Sequence, residues 1–524
     1  MADGLSGDAW YCVRQDGRAI RSGWVPAVSI ADLRRHVQCR TNEVIEICLV
    51  ERVQDVAPRH FSKVFSNRAR GLSGIELSFQ GEFFRIAPTR MIAANLSFER
   101  ALEQFLAQGK ISLRTFVAGG ALRAFSTKQF LLQGDGWSRE VQLYRGSTPV
   151  FLTEADSRSL ATELAEGIGD WMIGNLSADG SIPYKYWPSR GQVSPADNAI
   201  RNFLVPWSLA RWGSLKGSQV FKDAARRSLR FNLSRYFRQI GDGRGAIVES
   251  TGAKLGAAAV AGLAILANSN HREFRDELSM LCSGVNSLLD SKYGFRTFFF
   301  PQERDGENWN FYSGEALLFW VEALRHGLPT ARSLETCTAT FERCRARHYR
   351  RRNPAFVPWH TQACASLYSL TGHQEFADFA FEINDWLLPM QQWDGLPPDM
   401  KGRFYDPLRP EFGPPHAAST GAYLEGLALA TDLARKTGNQ TRISAYELAV
   451  SRGLRSLRQL QFRNSSDAFY ISRKRRVIGA LRTEVYDNAI RADSAAHALL
   501  AATSILQSPG DSAPHETHAS PAVP

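Results

Sequence analysis

Five carboxylate side chains lie in segments crowded with aromatic, amide and basic residues, and they are the first candidates for catalysis. They are Glu307, Glu315, Asp394, Asp406 and Asp487. Two carboxylates on opposite sides of a scissile bond can act as a general acid and as a base or nucleophile. We therefore expect Glu307 or Glu315 on one side of a site, and Asp394, Asp406 or Asp487 on the other.

Two histidines in similar settings offer a different chemistry. His360 follows Pro-Trp and His416 follows Pro-Pro. A histidine or tyrosine can abstract a proton next to a carbonyl or carboxylate whose charge an arginine neutralises. In this alternative, His360, His416, Tyr405 and Arg403 would carry the reaction.

A larger set of aromatic, amide and basic residues in the same segments is suited to binding a hydroxyl-rich ligand. Tryptophan and tyrosine rings can stack on the apolar faces of sugar rings, while amide and guanidinium groups bond the hydroxyls. The predicted substrate-binding residues are Tyr184, Trp187, Arg190, Asn198, Arg201, Trp309, Asn310, Trp359, Gln392, Trp393, Arg403, Tyr405, Tyr486, Asn488 and Arg491.

Helical periodicity recurs through the middle of the chain and decides how these segments meet. The predicted helices cover residues 155–175, 194–213, 217–238, 253–268, 271–289, 313–326, 330–347, 357–371, 374–388, 419–435, 440–460 and 491–506. The link after each even-numbered helix except the last is only a few residues long, whereas the link before it is usually long. Short links force antiparallel neighbours, so every long, polar loop falls on one face. The even-numbered helices are also the more apolar, which predicts an inner ring within an outer ring. The expected fold is mainly α: an (α/α)6 toroid of six helical hairpins over residues 151–506.

The segments outside the toroid have a different character. Residues 1–150 read as a smaller N-terminal α/β domain of unknown role, with strands near 44–50 and 74–79 and a helix near 97–106. The tail at 507–524 is rich in Ser, Pro, Ala and His and is predicted to be disordered.

A pentapeptide repeat bears on whether the ring closes. The sequence Asp-Asn-Ala-Ile-Arg occurs at 197–201 and again at 487–491. We expect the two copies to open the first and the last inner helix, which are neighbours in a closed ring.

Composition narrows the class of protein. A chain of 524 residues with 44% hydrophobic and 22% charged residues is typical of a globular protein of more than one domain. Because no apolar run is long enough to span a bilayer and the N-terminus lacks the pattern of a secretory signal, we expect a cytoplasmic protein with no membrane span. The seven cysteines are scattered without a Cys-x-x-Cys pair, and no His-Glu-x-x-His or phosphate-binding glycine motif occurs. Neither a metal nor a cofactor is therefore expected.

The formal charge of +11 bears on partners. Basic clusters occur at 345–352 and 473–476, but no nucleic-acid recognition motif accompanies them. We expect a carbohydrate substrate, which the charge allows to be anionic, and no nucleic-acid partner.

The alternation of links, together with the segments Gly306-Glu-Asn-Trp-Asn-Phe-Tyr-Ser-Gly-Glu315 and Tyr423-Leu-Glu-Gly426, resembles the six-hairpin superfamily of carbohydrate-active enzymes. That superfamily includes glycoside hydrolases, uronate lyases and epimerases, and the N-acylglucosamine 2-epimerase group. The resemblance covers roughly residues 155–506 and implies a toroid that acts on a carbohydrate. It matches no single family's full signature, so no catalytic residue carries over.

Three functions stay open on the sequence. The leading hypothesis is a glycoside hydrolase that acts on a poly- or oligosaccharide through paired carboxylates. The second is a uronate lyase or sugar epimerase that uses histidine or tyrosine to abstract a proton. The third is a non-catalytic glycan-binding or assembly protein of a polysaccharide pathway, with the N-terminal domain as its docking module.

Overall fold

The computed structural model of the protein describes residues 7–38, 40, 42–146, 149–152 and 155–508. Apart from Gln507 and Ser508, the tail that is predicted to be disordered lies outside these residues. In the described part of the chain, no helix combines the length and apolar character needed to cross a membrane.

The N-terminal region is an antiparallel sheet. Within the described residues its strands are β1 (Asp8–Gln15), β2 (Arg18–Pro26), β3 (Glu43–Val56), β4 (Ser73–Phe79), β5 (Glu82–Ile86), β6 (Ala121–Gln133) and β7 (Arg139–Leu143). Their order is β2-β1-β3-β6-β4-β5, and β7 pairs with the end of β6. The predicted strands near 44–50 and 74–79 are confirmed as parts of β3 and β4.

Short helices pack on this sheet. They are α1 (Ile30–His36), α2 (Phe61–Val64), α3 (Pro88–Ala93), α4 (Phe98–Gly109) and α5 (Leu113–Gly119). Phe98 and Phe105 of α4 are buried against Leu77 of β4 and Leu122 of β6. The mixed α/β character expected of this region is therefore confirmed.

Residues 155–508 contain twelve long helices, as the periodicity predicts. They are α6 (Ser157–Asn175), α7 (Ala199–Leu215), α8 (Gln219–Tyr236), α9 (Leu255–Leu266), α10 (Arg275–Asn286), α11 (Trp309–Arg325), α12 (Leu334–Arg350), α13 (Val357–Thr371), α14 (Gln374–Leu387), α15 (Ala417–Lys436), α16 (Gln440–Leu460) and α17 (Ala492–Gln507). Most bounds agree with the predicted ones to within a few residues, because apolar periodicity is a local signal.

Packing closes the inner helices into a ring. Each of α7, α9, α11, α13 and α15 contacts the next inner helix, and α17 returns to α7. Every residue of α9 is buried, as a helix enclosed on all sides requires. The outer helices instead carry an exposed polar side, as in α8 and α12. The predicted (α/α)6 toroid is therefore confirmed.

Short strands lie within the long loops of the toroid. They are β8 (Lys185–Trp187), β9 (Gln192–Val193), β10 (Phe237–Gly241), β11 (Arg244–Glu249), β12 (Gly252–Lys254), β13 (Leu289–Asp290), β14 (Gly294–Phe295), β15 (Phe298–Phe300), β16 (Arg482–Glu484) and β17 (Asp487–Arg491). The prediction that both copies of the pentapeptide open helices is wrong for the second copy. That copy forms β17, because it pairs with β16 and β8 before the chain enters α17. The prediction that the two copies lie next to each other is confirmed, since α17 packs on α7.

Candidate active site

The alternation of hairpins gathers the N-terminal ends of the inner helices at one face, where a cavity of about 410 Å³ opens. Each inner helix contributes a residue from its cap or first turn to the wall: Asn198, Lys254, Asn308, Pro358, His416 and Arg491. The free N–H groups of a helix N-terminus carry partial positive charge. The cavity therefore favours hydrogen-bond acceptors and anionic groups of a ligand.

A buried acid, Glu315 of α11, lines this cavity. Its side chain is 3% exposed, and among the described residues no group hydrogen-bonds its Oε2. Gly256 of α9 leaves the space for the carboxyl group, since a Cβ there would lie 2.1 Å from Oε2. Burial raises the pKa of Glu315 to about 8. At neutral pH the group is thus mainly protonated and can donate a proton.

Tyr312 stands one turn before Glu315 on the same helix and also lines the cavity. Burial, and next the nearby Glu315 and Glu249 carboxylates, raise the pKa of its phenol. The phenol therefore stays protonated and serves as a hydrogen-bond donor or acceptor. Tyr312 is not among the residues predicted from the sequence, although its spacing of three residues from Glu315 places both on one helix face.

Two arginines and one aspartate form an ion cluster in the cavity wall. Arg491 donates to Asp493 Oδ1 at 3.0 Å and to Oδ2 at 2.5 Å, and Arg201 Nε lies 3.2 Å from Oδ2. Burial alone would raise the pKa of Asp493, but Arg491 and Arg201 outweigh it and lower that pKa. Asp493 is therefore ionised, and the last residues of the two pentapeptide copies meet on one carboxylate.

A histidine–carboxylate pair joins the two neighbouring inner helices α15 and α17. His497 Nδ1 lies 2.6 Å from Glu425 Oε1, and Gln362 Nε2 lies 3.5 Å from Glu425 Oε2. His497 lines the cavity, whereas Glu425 is 2% exposed behind it. A carboxylate on Nδ1 holds the imidazole in the tautomer that leaves Nε2 free to accept a proton. The pair has the geometry of a general base and the group that orients it.

His416 is placed differently. Its Nδ1 accepts a hydrogen bond from the backbone N–H of Ser419 at 3.0 Å, so that it caps α15. Burial, and next the charge of Arg491, lower its pKa to about 4. In the neutral ring with Nδ1 as acceptor, the proton resides on Nε2. His416 is thus a hydrogen-bond donor at neutral pH.

The link between α14 and α15 supplies another wall. Tyr405 and Asp406 line the cavity at the end of a strand-like turn, in which the backbone N–H groups of Gln392 and Tyr405 bond the carbonyls of Arg403 and Met390. Asp406 is half-buried and accepts from the backbone N–H of Leu408 at 2.9 Å. Asp406 is therefore the one member of its predicted group that reaches the cavity.

The remaining predicted catalytic residues lie outside the cavity lining. Glu307 pairs at 2.6 Å with Arg304, and hydrogen bonds from Arg304 lower the pKa of the Glu307 carboxyl. Asp394 is exposed on the surface. Asp487 accepts from Asn95 of the N-terminal region at 2.9 Å. His360 is fully buried, stacked on the ring of Phe356, and burial lowers its pKa well below the usual value.

The predicted binding residues divide in the same way. Those that line the cavity are Asn198, Arg201, Trp359, Tyr405 and Arg491. Those that do not are Tyr184, Trp187, Arg190, Trp309, Asn310, Gln392, Trp393, Arg403, Tyr486 and Asn488. Tyr184 still bonds Arg201 directly.

Several of these outlying residues have structural partners of their own. Arg403 forms a buried ion pair with Glu484 at 2.5 Å. Trp309 is buried under the guanidinium of Arg347. These contacts account for their burial without a ligand.

Within the described ranges, no group of three His, Cys, Asp or Glu side chains is arranged to hold a metal ion.

Comparison with models of known protein families and with curated proteins gives no match. Among solved structures, an α-1,6-mannanase from Salegentibacter sp. HEL1_6 is 13% identical over 67% of this chain and 99% of its own, with a TM-score of 0.48. An unsaturated glucuronyl hydrolase specific for heparin is 12% identical over 66% and 97%, with a TM-score of 0.47. A sugar epimerase from a ruminal bacterium is 12% identical over 62% and 74%, with a TM-score of 0.31.

Proposed function

We propose that this protein is a carbohydrate-active enzyme that hydrolyses a glycosidic bond, with Glu315 as the general acid. The observation that carries the proposal is the Glu315 carboxyl, which is buried at the cavity, lacks a hydrogen-bond partner on Oε2 among the described residues, and has a pKa raised to about 8. An acid of this kind can protonate the leaving oxygen at neutral pH.

The proposed reaction needs a second carboxylate, and Asp406 fills that role. It lines the same cavity as Glu315 but comes from the link between α14 and α15 instead of α11, so a sugar bound in the cavity can contact both groups. Glu315 gives its proton to the glycosidic oxygen as the bond to the anomeric carbon breaks. Asp406 takes a proton from the water that attacks this carbon, and exchange with solvent restores both groups.

A second candidate is a sugar epimerase, favoured by the pair of His497 and Glu425. With Nδ1 held by Glu425, His497 Nε2 can remove a proton next to a sugar carbonyl. Epimerisation is complete when a donor on the opposite side delivers a solvent-derived proton to the other face of that carbon. The epimerase would also act on a carbohydrate, but its catalytic residues would lie on a different wall of the cavity.

Mass spectrometry of products separates these candidates. The full chain is incubated with neutral and uronate-containing glycans in ordinary and in heavy water. Hydrolysis predicts shortened chains that have gained one water, and these products should disappear in Glu315→Gln and Asp406→Asn but persist in His497→Gln.

Deuterium on carbon without chain cleavage, lost in His497→Gln, would replace the hydrolase with the epimerase. Glycan binding without any product would instead favour a non-catalytic protein.

A further inference from the structure

The ion cluster of Arg201, Arg491 and Asp493 leaves positive charge unbalanced at the cavity. Two guanidinium groups share one carboxylate, so the cluster has a formal charge of +1. Arg201 keeps 38% of its side chain exposed and Arg491 keeps 17%, whereas Asp493 keeps 5%. The two cations therefore face the cavity more than the anion does.

The other cations of the cavity wall are neutralised by partners of their own. Lys254 Nζ lies 2.5 Å from Glu249, and Arg304 lies 2.6 Å from Glu307. Asp406 is the other carboxylate of the wall, and it lies on the link between α14 and α15 without an ion pair to either arginine among the described residues. The positive charge that lacks a counter-charge in direct contact is therefore localised at the two arginines. The N-terminal ends of α7 and α17, which carry these arginines, add partial positive charge at the same place.

Both arginines also hold unused donors. Among the described residues, no hydrogen bond uses Arg201 Nη2 or Arg491 Nη1, although the other guanidinium nitrogens contact Asp493 or Tyr184. His416 lies near enough that both arginines lower its pKa. Guanidinium donors next to an unbalanced charge are suited to planar anions.

We propose that Arg201 and Arg491 bind the carboxylate of a uronic acid residue in the substrate. This inference rests on the proposed carbohydrate substrate and names its class. A carboxylate carries one negative charge and balances the cluster, whereas a phosphate monoester close to −2 would leave excess negative charge in a partly desolvated cavity.

The test measures binding, so that its outcome does not depend on turnover. Calorimetric titration of the full chain compares D-glucuronate with D-glucose and with glucose 6-phosphate. Glucuronate and glucose differ only at C6, which is a carboxylate in the first and a hydroxymethyl group in the second. We expect glucuronate to bind about tenfold or more tightly than glucose. Arg201→Gln should remove that preference, while Arg325→Gln, at the far end of α11, should keep it.

Other outcomes overturn the inference. These are equal affinity for glucuronate and glucose, no binding of glucuronate, tighter binding of glucose 6-phosphate, or a preference that survives Arg201→Gln. If Arg201→Gln fails to fold, salt decides, because the wild-type preference for glucuronate should shrink as ionic strength rises. A preference that is independent of salt would also overturn it. Failure to cleave any glycan would count against the hydrolase and leave this result standing.

Discussion

Glu315 is the residue on which the proposed function depends. A carboxyl group without a hydrogen-bond partner in a buried site costs stability, so that a structural role alone gives little reason for an acid there. Packing with Gly256 and Tyr312 holds it at the cavity wall. The raised pKa of Glu315 is therefore a property that the proposed reaction uses.

Replacement of this acid should separate activity from stability. Glu315→Gln keeps the shape but cannot donate a proton to a leaving oxygen, so we expect turnover to fall about 10²–10⁴-fold. The melting temperature should change little, since the variant replaces a mainly neutral acid with a neutral group of nearly the same shape. Glu307→Gln serves as the comparison, because that carboxylate is exposed and paired with Arg304. Equal loss of turnover in both variants would contradict the assignment.

The pH dependence of the rate follows from the same pKa. A general acid must be protonated to work, so kcat/KM should decline as pH rises through about 8. The pH–rate profile of the wild type on a cleaved glycan measures this directly. A basic limb far below pH 8 would assign the proton donor to another group.

At the scale of elements, the close packing of α9 on α11 forms the space for the acid. Gly256 faces Glu315, and Gly262, further along α9, faces the ring of Phe319. A Cβ at Gly262 would lie 2.2 Å from that ring, much as one at Gly256 would from the Glu315 carboxyl. The two glycines thus offer matched positions, of which only one concerns the site.

We expect Gly256→Ala and Gly262→Ala each to destabilise the fold by about 1–3 kcal/mol through overpacking. Only Gly256→Ala should also displace the Glu315 carboxyl and shift the basic limb of the pH–rate profile. Urea denaturation and the rate profile of both variants check this. A shift of the same size in Gly262→Ala would mean that general loosening, and not the contact with Glu315, is responsible.

The elements also explain what could be predicted from the sequence. Local periodicity and link length predict the long helices and their alternation. These two features also predict that Glu315 and Asp406 lie at the same face of the toroid. The periodicity predicts a helix from residue 313 and leaves Trp309 in the preceding loop, but α11 begins at Trp309, four residues earlier, and the indole ring is buried. The pair of His497 and Glu425 arises from packing of two helices that are distant in sequence, which no local pattern reveals.

At the scale of the whole molecule, the N-terminal sheet is fastened to the toroid next to the site. Arg145, which follows β7, is buried and lies 2.5 Å from Asp399 of the link that carries Tyr405 and Asp406. It also donates to the carbonyls of Arg68 and Arg70. Gly17, with φ of 78°, lets the turn between β1 and β2 approach the backbone of Ile471. The N-terminal region thus contacts the link that supplies one wall of the cavity.

Loss of the ion pair between Arg145 and Asp399 should lower the free energy of unfolding. Arg145→Met leaves Asp399 as an unpaired buried charge, for which we expect a destabilisation of about 3–5 kcal/mol. Lys216→Met, which breaks an exposed pair with Glu166, should cost no more than about 1 kcal/mol. Denaturant unfolding of both variants measures the difference. Similar small losses would show that Arg145 does not fasten the two regions.

Measuring the protonation state of Glu315 tests its assignment as the general acid, and the measurement needs no substrate. Infrared difference spectra of the wild type minus Glu315→Gln would be recorded below and above pH 8. We expect a protonated carboxyl band at neutral pH that converts to a carboxylate band near pH 8. A carboxylate band already present at pH 6 would contradict it, because an ionised Glu315 could not serve as the acid.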